Sequence, residues 1–176
     1  PIRHDLEITD TQMSLLGGFA FSIFYTTMGI PLARLADRAN RRNLMMAGVA
    51  CWSLMTSASG LVRSFWGLFA TRVGVGVGEA ALSPAAFSLL ADCFPPQRLA
   101  RAISVYSTGL YFGAGLALMI GGSVLQYGSH AAVHEMPLLG VLRPWQYTFL
   151  RVGLLGFPIV LLMATIREPL RRGVAG

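Results

Sequence analysis

Two charged residues stand inside an otherwise apolar stretch of the chain, Arg72 and Glu79 in TRVGVGVGEAALSP (71–84). On an α-helix each residue turns about 100°, so Arg72, Glu79 and Ser83 lie on one helical face. A charge facing lipid near the middle of a membrane span costs about 3 kcal/mol or more, so Glu79 is expected to face a water-filled cavity or a partner. These three residues are therefore predicted to line a pathway for a substrate or a proton.

Two interpretations of Arg72 and Glu79 remain open from the residues alone. The side chains are two helical turns apart, and they could serve only as an ion pair that holds helices together. Alternatively they line a transport pathway, which the rarity of ionisable groups in membrane spans favours. In that case Glu79 would take or release a proton as access to the site changes, and Arg72 would bind an anionic group or compete for Glu79.

The glycines of the same stretch predict how its helix packs. Gly74 and Gly78 fall roughly opposite Arg72 and are spaced as small-xxx-small, a pattern that lets two membrane helices approach closely. Pro84 lacks a backbone N–H and frees the carbonyl of Ala80, which predicts a local bend. We therefore expect a helix with one packing face and one polar face.

The composition is typical of a membrane protein. Of the 176 residues, 54% are hydrophobic and 12% are charged, whereas a soluble domain carries about 25% charged residues. All 14 basic residues are arginines, and most lie at the ends of apolar runs, which disfavours nucleic acid as a partner. The spacing of Cys51 and Cys93 suggests neither a zinc site nor a disulfide framework, and no metal or cofactor is predicted.

Five apolar runs are long enough to cross a bilayer as helices, which takes about 20 residues each. They are residues 11–35, 43–62, 65–90, 102–127 and 145–166. The capping-type residues Asp10 and Thr11 open the first run, and no strict alternation of apolar and polar residues predicts a strand. The predicted fold is an all-α, polytopic membrane helix bundle with five transmembrane helices.

The arginines are distributed unevenly between the two sides of these spans. One side holds nine of them and the other holds three. The nine are Arg34, Arg38, Arg41, Arg42, Arg98, Arg101, Arg167, Arg171 and Arg172, and the three are Arg3, Arg63 and Arg143. Short cytoplasmic loops carry an excess of basic residues, so we predict that the chain starts outside and ends in the cytoplasm. The expected location is a bacterial inner membrane.

The loop after the first span reads ARLADRANRRN (33–43), an acidic residue followed by three arginines in a tight turn. It resembles the signature G-x-L-x-D-R-x-G-R-R that the major facilitator superfamily carries between its second and third helices. The matching residues are Leu35, Asp37, Arg38, Arg41 and Arg42, with Ala33 and Asn40 at the two glycine positions. Asn tolerates left-handed backbone almost as Gly does, so Asn40 is a mild change.

Longer segments are similar to the spinster branch of this superfamily. They are PLARLADRANRR (31–42), RVGVGVGEAALSPAAFSLLADCFPPQRLARAISVY (72–106), YFGAGLALMIGG (111–122) and IREPLRRG (166–173). The resemblance extends over nearly the whole chain, from DLEITDTQMSLL (5–16) onward. It implies that residues 1–176 are a partial amino-terminal transmembrane bundle, helices two to six of a transporter with twelve.

The resemblance also implies a function and its residues. The expected protein is a secondary active, proton-coupled transporter of a small organic or lipid-like amphiphilic solute, which works by alternating access between two bundles. Its partners would be the bilayer, the missing first helix and the carboxy-terminal half of the same transporter. Arg72 and Glu79 match the charged pair of the family's fourth helix and would line the cavity.

The same resemblance implies a cytoplasmic gate. Asp37 and the arginines of its loop, Arg38, Arg41 and Arg42, would latch the two halves of the transporter together. Asp92, at the cytoplasmic end of the helix that carries Glu79, would pair with an arginine of that loop.

Two other classes use the same charged pair. An integral-membrane enzyme would need Glu79 together with a histidine, but His4, His130 and His134 all lie outside the predicted spans, so an enzyme is not expected. A structural or channel subunit could also use Arg72 and Glu79. A conducting pore would require rings of polar residues on several spans, and only one predicted span shows a charged face.

Overall fold

The computed structural model describes residues 2–128, 134–136 and 140–171, with the backbone alone described at 124–128, 134–136 and 140. Its helices are α1 (Ile2–Asp5), α2 (Asp10–Ser14), α3 (Ala20–Arg38), α4 (Arg41–Ser59), α5 (Phe65–Ala80), α6 (Leu82–Cys93), α7 (Pro96–Gly128), α8 (Pro144–Leu154) and α9 (Gly156–Ala164). A π-helical segment, Leu15–Phe19, joins α2 to α3 without a break. The described chain is therefore the predicted bundle of long helices.

Within the described residues, four helical stretches are long and apolar enough to cross a membrane. They are Asp10–Arg38, Phe65–Cys93, Pro96–Ser123 and Pro144–Ala164, of 29, 29, 28 and 21 residues. They correspond to the first, third, fourth and fifth predicted spans. At the second predicted span, 43–62, the structure has α4, which is 19 residues long but is not among the four stretches.

The reason that α4 differs lies in its polar side chains. Ser53, Ser57 and Ser59 are buried in the bundle. The helix packs against α5, α6, α8 and α9, so its neighbours shield it from surrounding lipid. A helix enclosed by protein does not need the all-round apolar surface by which a lipid-facing span is recognised in a sequence.

The ends of the helices are fixed by side-chain caps. Thr9, rather than the predicted Asp10 or Thr11, caps α2: its Oγ1 accepts from the N–H of Gln12 at 3.2 Å, and its own N–H donates to Gln12 Oε1 at 2.9 Å. This reciprocal pair is a capping box. Asn40 caps α4 with a φ of −67°, so the left-handed backbone that Asn permits is not used there. Its Oδ1 accepts from the N–H of Asn43 at 2.9 Å.

The predicted packing face of α5 is confirmed, and it lies against α4. A Cβ on Gly78 would come within 2.8 Å of the carbonyl oxygen of Gly48, and a Cβ on Gly74 would meet the side chain of Met55 at 2.5 Å. Both distances are shorter than a van der Waals contact. Glycine at these positions therefore lets α4 and α5 cross with their backbones almost touching.

Two interruptions divide the long spans. Helix α5 ends at Ala80 and α6 begins at Leu82, where Pro84 takes away the N–H that would have bonded to the carbonyl of Ala80. The last span is interrupted at Leu155, between α8 and α9. By contrast, α3 continues without interruption through Pro31.

Apolar side chains collect at both ends of the bundle. One cluster contains Ala36, Met45, Ala85 and Ala86. Its members lie near the end of α3, near the start of α4 and in the first half of α6. The end of the bundle at which α3 passes into α4 and α6 ends is called the arginine-rich end from here on. The other cluster contains Ile8, Leu16 and Leu68, at the end that carries α1, which is called the opposite end.

A short pair of strands, which the sequence did not predict, precedes the last span. Strand β1 (His134–Met136) pairs antiparallel with β2 (Gly140–Leu142), with His134 facing Leu142 in the register. Each strand has three residues. Such a short strand shows no recognisable alternation of apolar and polar residues, which is why the pattern was missed.

Candidate functional site

Arg72 lies inside the bundle, on the wall of a cavity. Its guanidinium stands 4.5 Å above the centre of the Phe149 ring, in α8. The cavity has a volume of about 330 Å³. Phe21, Leu68 and the π-helical residues Leu16 and Gly17 also line it. A cation over an aromatic face is attracted by the ring quadrupole, so Arg72 is held toward protein rather than toward acyl chains.

Glu79 lies on the same helix as Arg72 and is half-buried. Among the described residues its carboxylate forms no ion pair and no hydrogen bond, and it is not paired with Arg72. The described residues therefore show no contact that would support the interpretation of Arg72 and Glu79 as an ion pair that holds helices together.

The polar face of α5 lies next to α3. A Cβ on Gly76, which is on that face, would come within 2.7 Å of the carbonyl oxygen of Phe21 in α3. Ser83 continues the face into the first turn of α6 and is half-buried. Arg72, Glu79 and Ser83 thus occupy one side of the α5–α6 span, partly covered by protein, and their part in a pathway stays a prediction.

A second charged group lies at the arginine-rich end, around Arg41. This side chain is 1% exposed. Its Nε donates to Glu168 Oε1 at 2.7 Å, a terminal nitrogen pairs with Asp92, and the same nitrogen donates to the backbone carbonyl of Ser88 at 3.1 Å. The planar guanidinium fork suits two carboxylates at once. Arg41 therefore joins α4, α6 and the segment after α9.

Glu168 completes this group, called the Arg41 network from here on. Its other oxygen, Oε2, accepts from the backbone N–H of Arg42 at 2.9 Å. Burial by itself raises the pKa of the Glu168 carboxyl, but the hydrogen bonds from Arg42 and Arg41 outweigh it and hold the pKa below its usual value. The carboxylate is therefore charged at neutral pH.

Further arginines tie the same end to backbone carbonyls. The Arg42 guanidinium donates to the carbonyl of Ile166 at 3.1 Å. Arg171 donates to the carbonyl of Ala36 at 2.9 Å and to that of Ala39. Carbonyls at the end of a helix have no partner within it, and cations satisfy them well. The segment after α9 is thereby fastened across the end of α3.

Asp37 and Arg38 differ from the other residues of their loop. Both side chains are exposed, and no ion pair to either is present among the described residues. Of the predicted gate residues, the structure brings Arg41, Arg42 and Asp92 together with Glu168, and it leaves Asp37 and Arg38 at the surface.

Sequence reasoning did not assign Glu168 or Arg171 to the predicted gate. The available signal was the segment IREPLRRG (166–173), in which one acidic residue stands among three arginines. The same combination had drawn attention to Asp37. Arg172, which the arginine count included, lies outside the described residues.

A third charged group, also missed, lies at the opposite end. Asp5 accepts from the Arg143 guanidinium at 2.6 Å and from Trp145 Nε1 at 2.8 Å. Burial by itself raises the pKa of Asp5, but these hydrogen bonds and the Arg143 charge lower it below its usual value. The group fastens α1 to the start of α8, and its members lie far apart in the sequence.

The enzyme alternative required a histidine beside Glu79. His4 is exposed in α1, at the opposite end of the bundle. His130 lies outside the described residues, and His134 is described by its backbone alone.

Long apolar helices packed against one another around partly buried charges define a polytopic membrane protein. The sequence model of the Major Facilitator Superfamily matches residues 1–175. The chain belongs to this superfamily, and its similarities place it in the spinster-type branch.

The relatives are longer than this chain. An "MFS-type efflux pump" of Mycolicibacterium smegmatis is 35% identical over 97% of the chain and 37% of its own length. "Protein spinster homolog 1" of Homo sapiens is 34% identical over 98% of the chain and 30% of its own length. A "Sphingosine-1-phosphate transporter SPNS2" of Xenopus tropicalis is 30% identical over 80% of the chain and 28% of its own length.

A solved structure has the same arrangement of helices. It is a bacterial homologue of the human lysosomal transporter spinster, in an inward-facing and unoccupied conformation. The TM-score is 0.83 at 35% identity, covering 97% of this chain and 38% of that one. The chain therefore spans between 28% and 38% of the length of these proteins.

Proposed function

We propose that this chain is part of a secondary active transporter that moves an amphiphilic, lipid-like solute by alternating access and couples this movement to protons. The observation that carries the proposal is the polar face of the α5–α6 span. Arg72 and Glu79 share it, are partly buried, and do not pair with one another. Ionisable groups inside membrane spans mark substrate and proton pathways far more often than they serve packing alone.

The cavity beside Arg72 suggests the class of solute. Arg72 is its one cation among the described lining residues. The rest of that lining is apolar and aromatic and includes Phe21, Leu68 and Phe149. A guanidinium binds phosphate or carboxylate through paired hydrogen bonds, and the apolar wall suits a hydrocarbon chain. A relative named for sphingosine-1-phosphate transport agrees with an anionic head on an apolar chain, and one named as an efflux pump agrees with export of a small organic compound.

Glu79 is proposed as the proton-carrying group. A carboxylate without a partner in a membrane span is stabilised by protonation when water is excluded and by ionisation when water enters. Alternating access changes the water around such a group in each cycle. Proton uptake and release by Glu79 would thereby be linked to the direction in which the site opens.

The arginine-rich end is proposed as the cytoplasmic gate. The Arg41 network fixes α4, α6 and the segment after α9 as one unit, so they would move together. Asp37 and Arg38 project from that unit and are available to contact the carboxy-terminal half of the intact transporter. In this arrangement the chain starts outside and ends in the cytoplasm of a bacterial cell.

The coupling role of Glu79 can be tested with the intact protein in proteoliposomes. Uptake of a single-chain lysophospholipid would be measured with and without a pH gradient. Wild type should accumulate the lipid when a gradient is applied, and Glu79→Gln should lose that stimulation while still exchanging lipid downhill. Stimulation that is unchanged in Glu79→Gln would refute the proton role of Glu79, and wild-type flux that is insensitive to the pH gradient would refute proton coupling.

The role of Arg72 is tested in the same vesicles with a matched pair of solutes. Arg72→Gln should weaken transport of the anionic lysophospholipid by about tenfold or more, since a hydrogen bond to a charged group contributes about 1.5–3 kcal/mol. A neutral monoacylglycerol should be affected little. Arg34→Gln, an exposed arginine without an ion pair in the described chain, is the control. Equal losses of transport for the two solutes would mean that Arg72 supports the fold and does not distinguish an anionic from a neutral solute.

A further inference from the structure

A groove separate from the Arg72 cavity lies between α6 and α7 at the arginine-rich end. Its volume is about 400 Å³. Leu90, Phe94, Val105 and Tyr106 form its apolar wall, and Arg98 and Arg101 are its charged members. This is called the α6–α7 groove from here on. Among the residues that the structure describes, no acidic side chain lines it.

The two arginines are arranged to act on one ligand. They are three residues apart in α7, so their side chains emerge on neighbouring positions of the same helical face. Both are exposed, and neither forms an ion pair or a side-chain hydrogen bond within the part of the chain described. Two guanidinium groups beside each other repel, and an anion placed between them relieves that repulsion.

The groove lies at the depth where phospholipid headgroups are found. The membrane-crossing stretch of α7 begins at Pro96, so Arg98 and Arg101 fall in its first two turns, at the edge of the hydrocarbon. Val105 follows one turn deeper and is 68% exposed. A ligand that contacts all three needs a charged part at the surface and an apolar part directed into the bilayer.

We propose that the α6–α7 groove binds an anionic phospholipid of the surrounding bilayer. The phosphate would lie between the Arg98 and Arg101 guanidinium groups, and an acyl chain would lie along Phe94 and Val105. Basic pockets between membrane helices are known to select anionic headgroups in this way. The site is distinct from the pathway proposed above, and it does not depend on whether that pathway carries protons or lipid.

The experiment uses the intact protein, purified in detergent and supplied with defined lipids. Bound lipid is counted by native mass spectrometry, and thermal unfolding is followed in parallel. The probes are dioleoylphosphatidylglycerol, dioleoylphosphatidylcholine and glycerol 3-phosphate, which separate a charged lipid, a zwitterionic lipid and a headgroup without chains. Wild type should retain phosphatidylglycerol selectively and unfold at a higher temperature with it, and glycerol 3-phosphate should neither stabilise it nor displace the lipid.

The variants separate the groove from general surface charge. Arg98→Gln with Arg101→Gln should bind phosphatidylglycerol roughly 10- to 30-fold more weakly, the loss expected for two arginines near an anionic headgroup. Arg34→Gln, which removes an exposed arginine elsewhere on the chain, should bind as wild type does. If the double Gln variant does not fold, the single variants Arg98→Gln and Arg101→Gln decide, and each should bind phosphatidylglycerol about fivefold more weakly. Arg98→Lys with Arg101→Lys keeps both charges and should keep most of the selectivity.

Three results would overturn the proposal. The first is equal retention of phosphatidylglycerol and phosphatidylcholine by wild type. The second is displacement of the lipid by glycerol 3-phosphate, which would indicate a site for a free anion. The third is binding of phosphatidylglycerol that the Gln variants, double or single, leave as strong as in the Arg34→Gln control, which would mean that other parts of the protein cover the groove.

Discussion

Arg41 keeps a full charge at a position where almost no water reaches it. A buried charge is costly unless its hydrogen bonds and its counter-charges are both supplied. Asp92 and Glu168 supply the charges, and the carbonyl of Ser88 supplies a further acceptor. The residue therefore joins three segments, and its removal would take from Asp92 and Glu168 the cation that they share.

Replacing Arg41 by Met should destabilise the intact protein strongly. Breaking a buried ion pair by removing one partner costs about 3–5 kcal/mol, and the lower end applies because both carboxylates remain partly exposed. Arg41→Lys should recover part of the loss, since the charge remains while the two-pronged geometry does not. The measurement is thermal unfolding in detergent with Arg34→Gln as control, and a shift equal to the control's would contradict the account.

The contribution of Glu168 should depend on pH in one direction. Its folded-state pKa lies below the ordinary value of 4.5, so its stabilisation is complete above about pH 4.5 and is lost as the pH falls through the lower, folded-state value. The melting temperatures of wild type and Glu168→Gln should therefore differ at pH 7 and converge in acid. Glu7→Gln is the control, since Glu7 is exposed and has no ion pair within the described residues. A difference that grew on acidification would contradict the assigned sign.

At the scale of the elements, the bundle depends on how closely α4 and α5 approach. A Cβ on Gly48 would lie 2.6 Å from the carbonyl oxygen of Gly78. Backbone atoms cannot move aside as the end of a flexible side chain can, so the helices would have to separate. Separation would also weaken the packing of α5 on α3, on which the position of Arg72 depends.

Two Gly→Ala substitutions should therefore have opposite signs. Gly48→Ala should destabilise the intact protein by about 1–3 kcal/mol, the usual cost of overpacking. Gly29→Ala, in α3, has no atom within 4 Å of the added Cβ, so it should be neutral or stabilising by up to about 1 kcal/mol from helix propensity. Thermal unfolding of both variants under one condition gives the comparison. Equal effects would show that the α4–α5 crossing is looser than its geometry indicates.

Some of these elements could be predicted from the sequence and others could not. Four spans and the glycine face of α5 follow from hydrophobic length and helical spacing, both of which are local. The enclosure of α4 cannot be predicted in this way. Its buried serines are explained only by the four other helices that pack around α4, and these lie elsewhere in the sequence. Asp37 was recognised because it belongs to a local sequence motif. The ion pair between Arg41 and Glu168 joins residues more than a hundred positions apart, so no local pattern predicts it.

At the scale of the whole molecule, the three charged groups divide the bundle into layers. The Arg41 network closes the arginine-rich end, the group around Asp5 and Arg143 closes the opposite end, and Arg72 with Glu79 lies between them. The charges that fasten segments lie toward the two ends of the membrane-crossing stretches, and Arg72 and Glu79, which do not pair with each other, lie within one of these stretches. This division agrees with the proposed transporter, in which the bundle would move as one unit around a site that contains Arg72 and Glu79.

We predict that the arginine-rich end of the bundle faces the cytoplasm. An excess of arginines at one end predicts that this end lies in the cytoplasm. Cys93 is exposed there, and Leu61 is exposed at the opposite end, so a single cysteine at either position can report sidedness. In intact bacterial cells a membrane-impermeant maleimide should label Leu61→Cys in a background that lacks other cysteines.

The matched variant keeps Cys93 as its one cysteine and should stay unlabelled until the membrane is opened with detergent. Permeabilised cells provide the control that both thiols react when the reagent reaches them. Labelling of Cys93 in sealed cells, with Leu61→Cys protected, would invert the topology. The gate proposed around Asp37 would then face outward, and the α6–α7 groove would meet the outer leaflet of the bilayer.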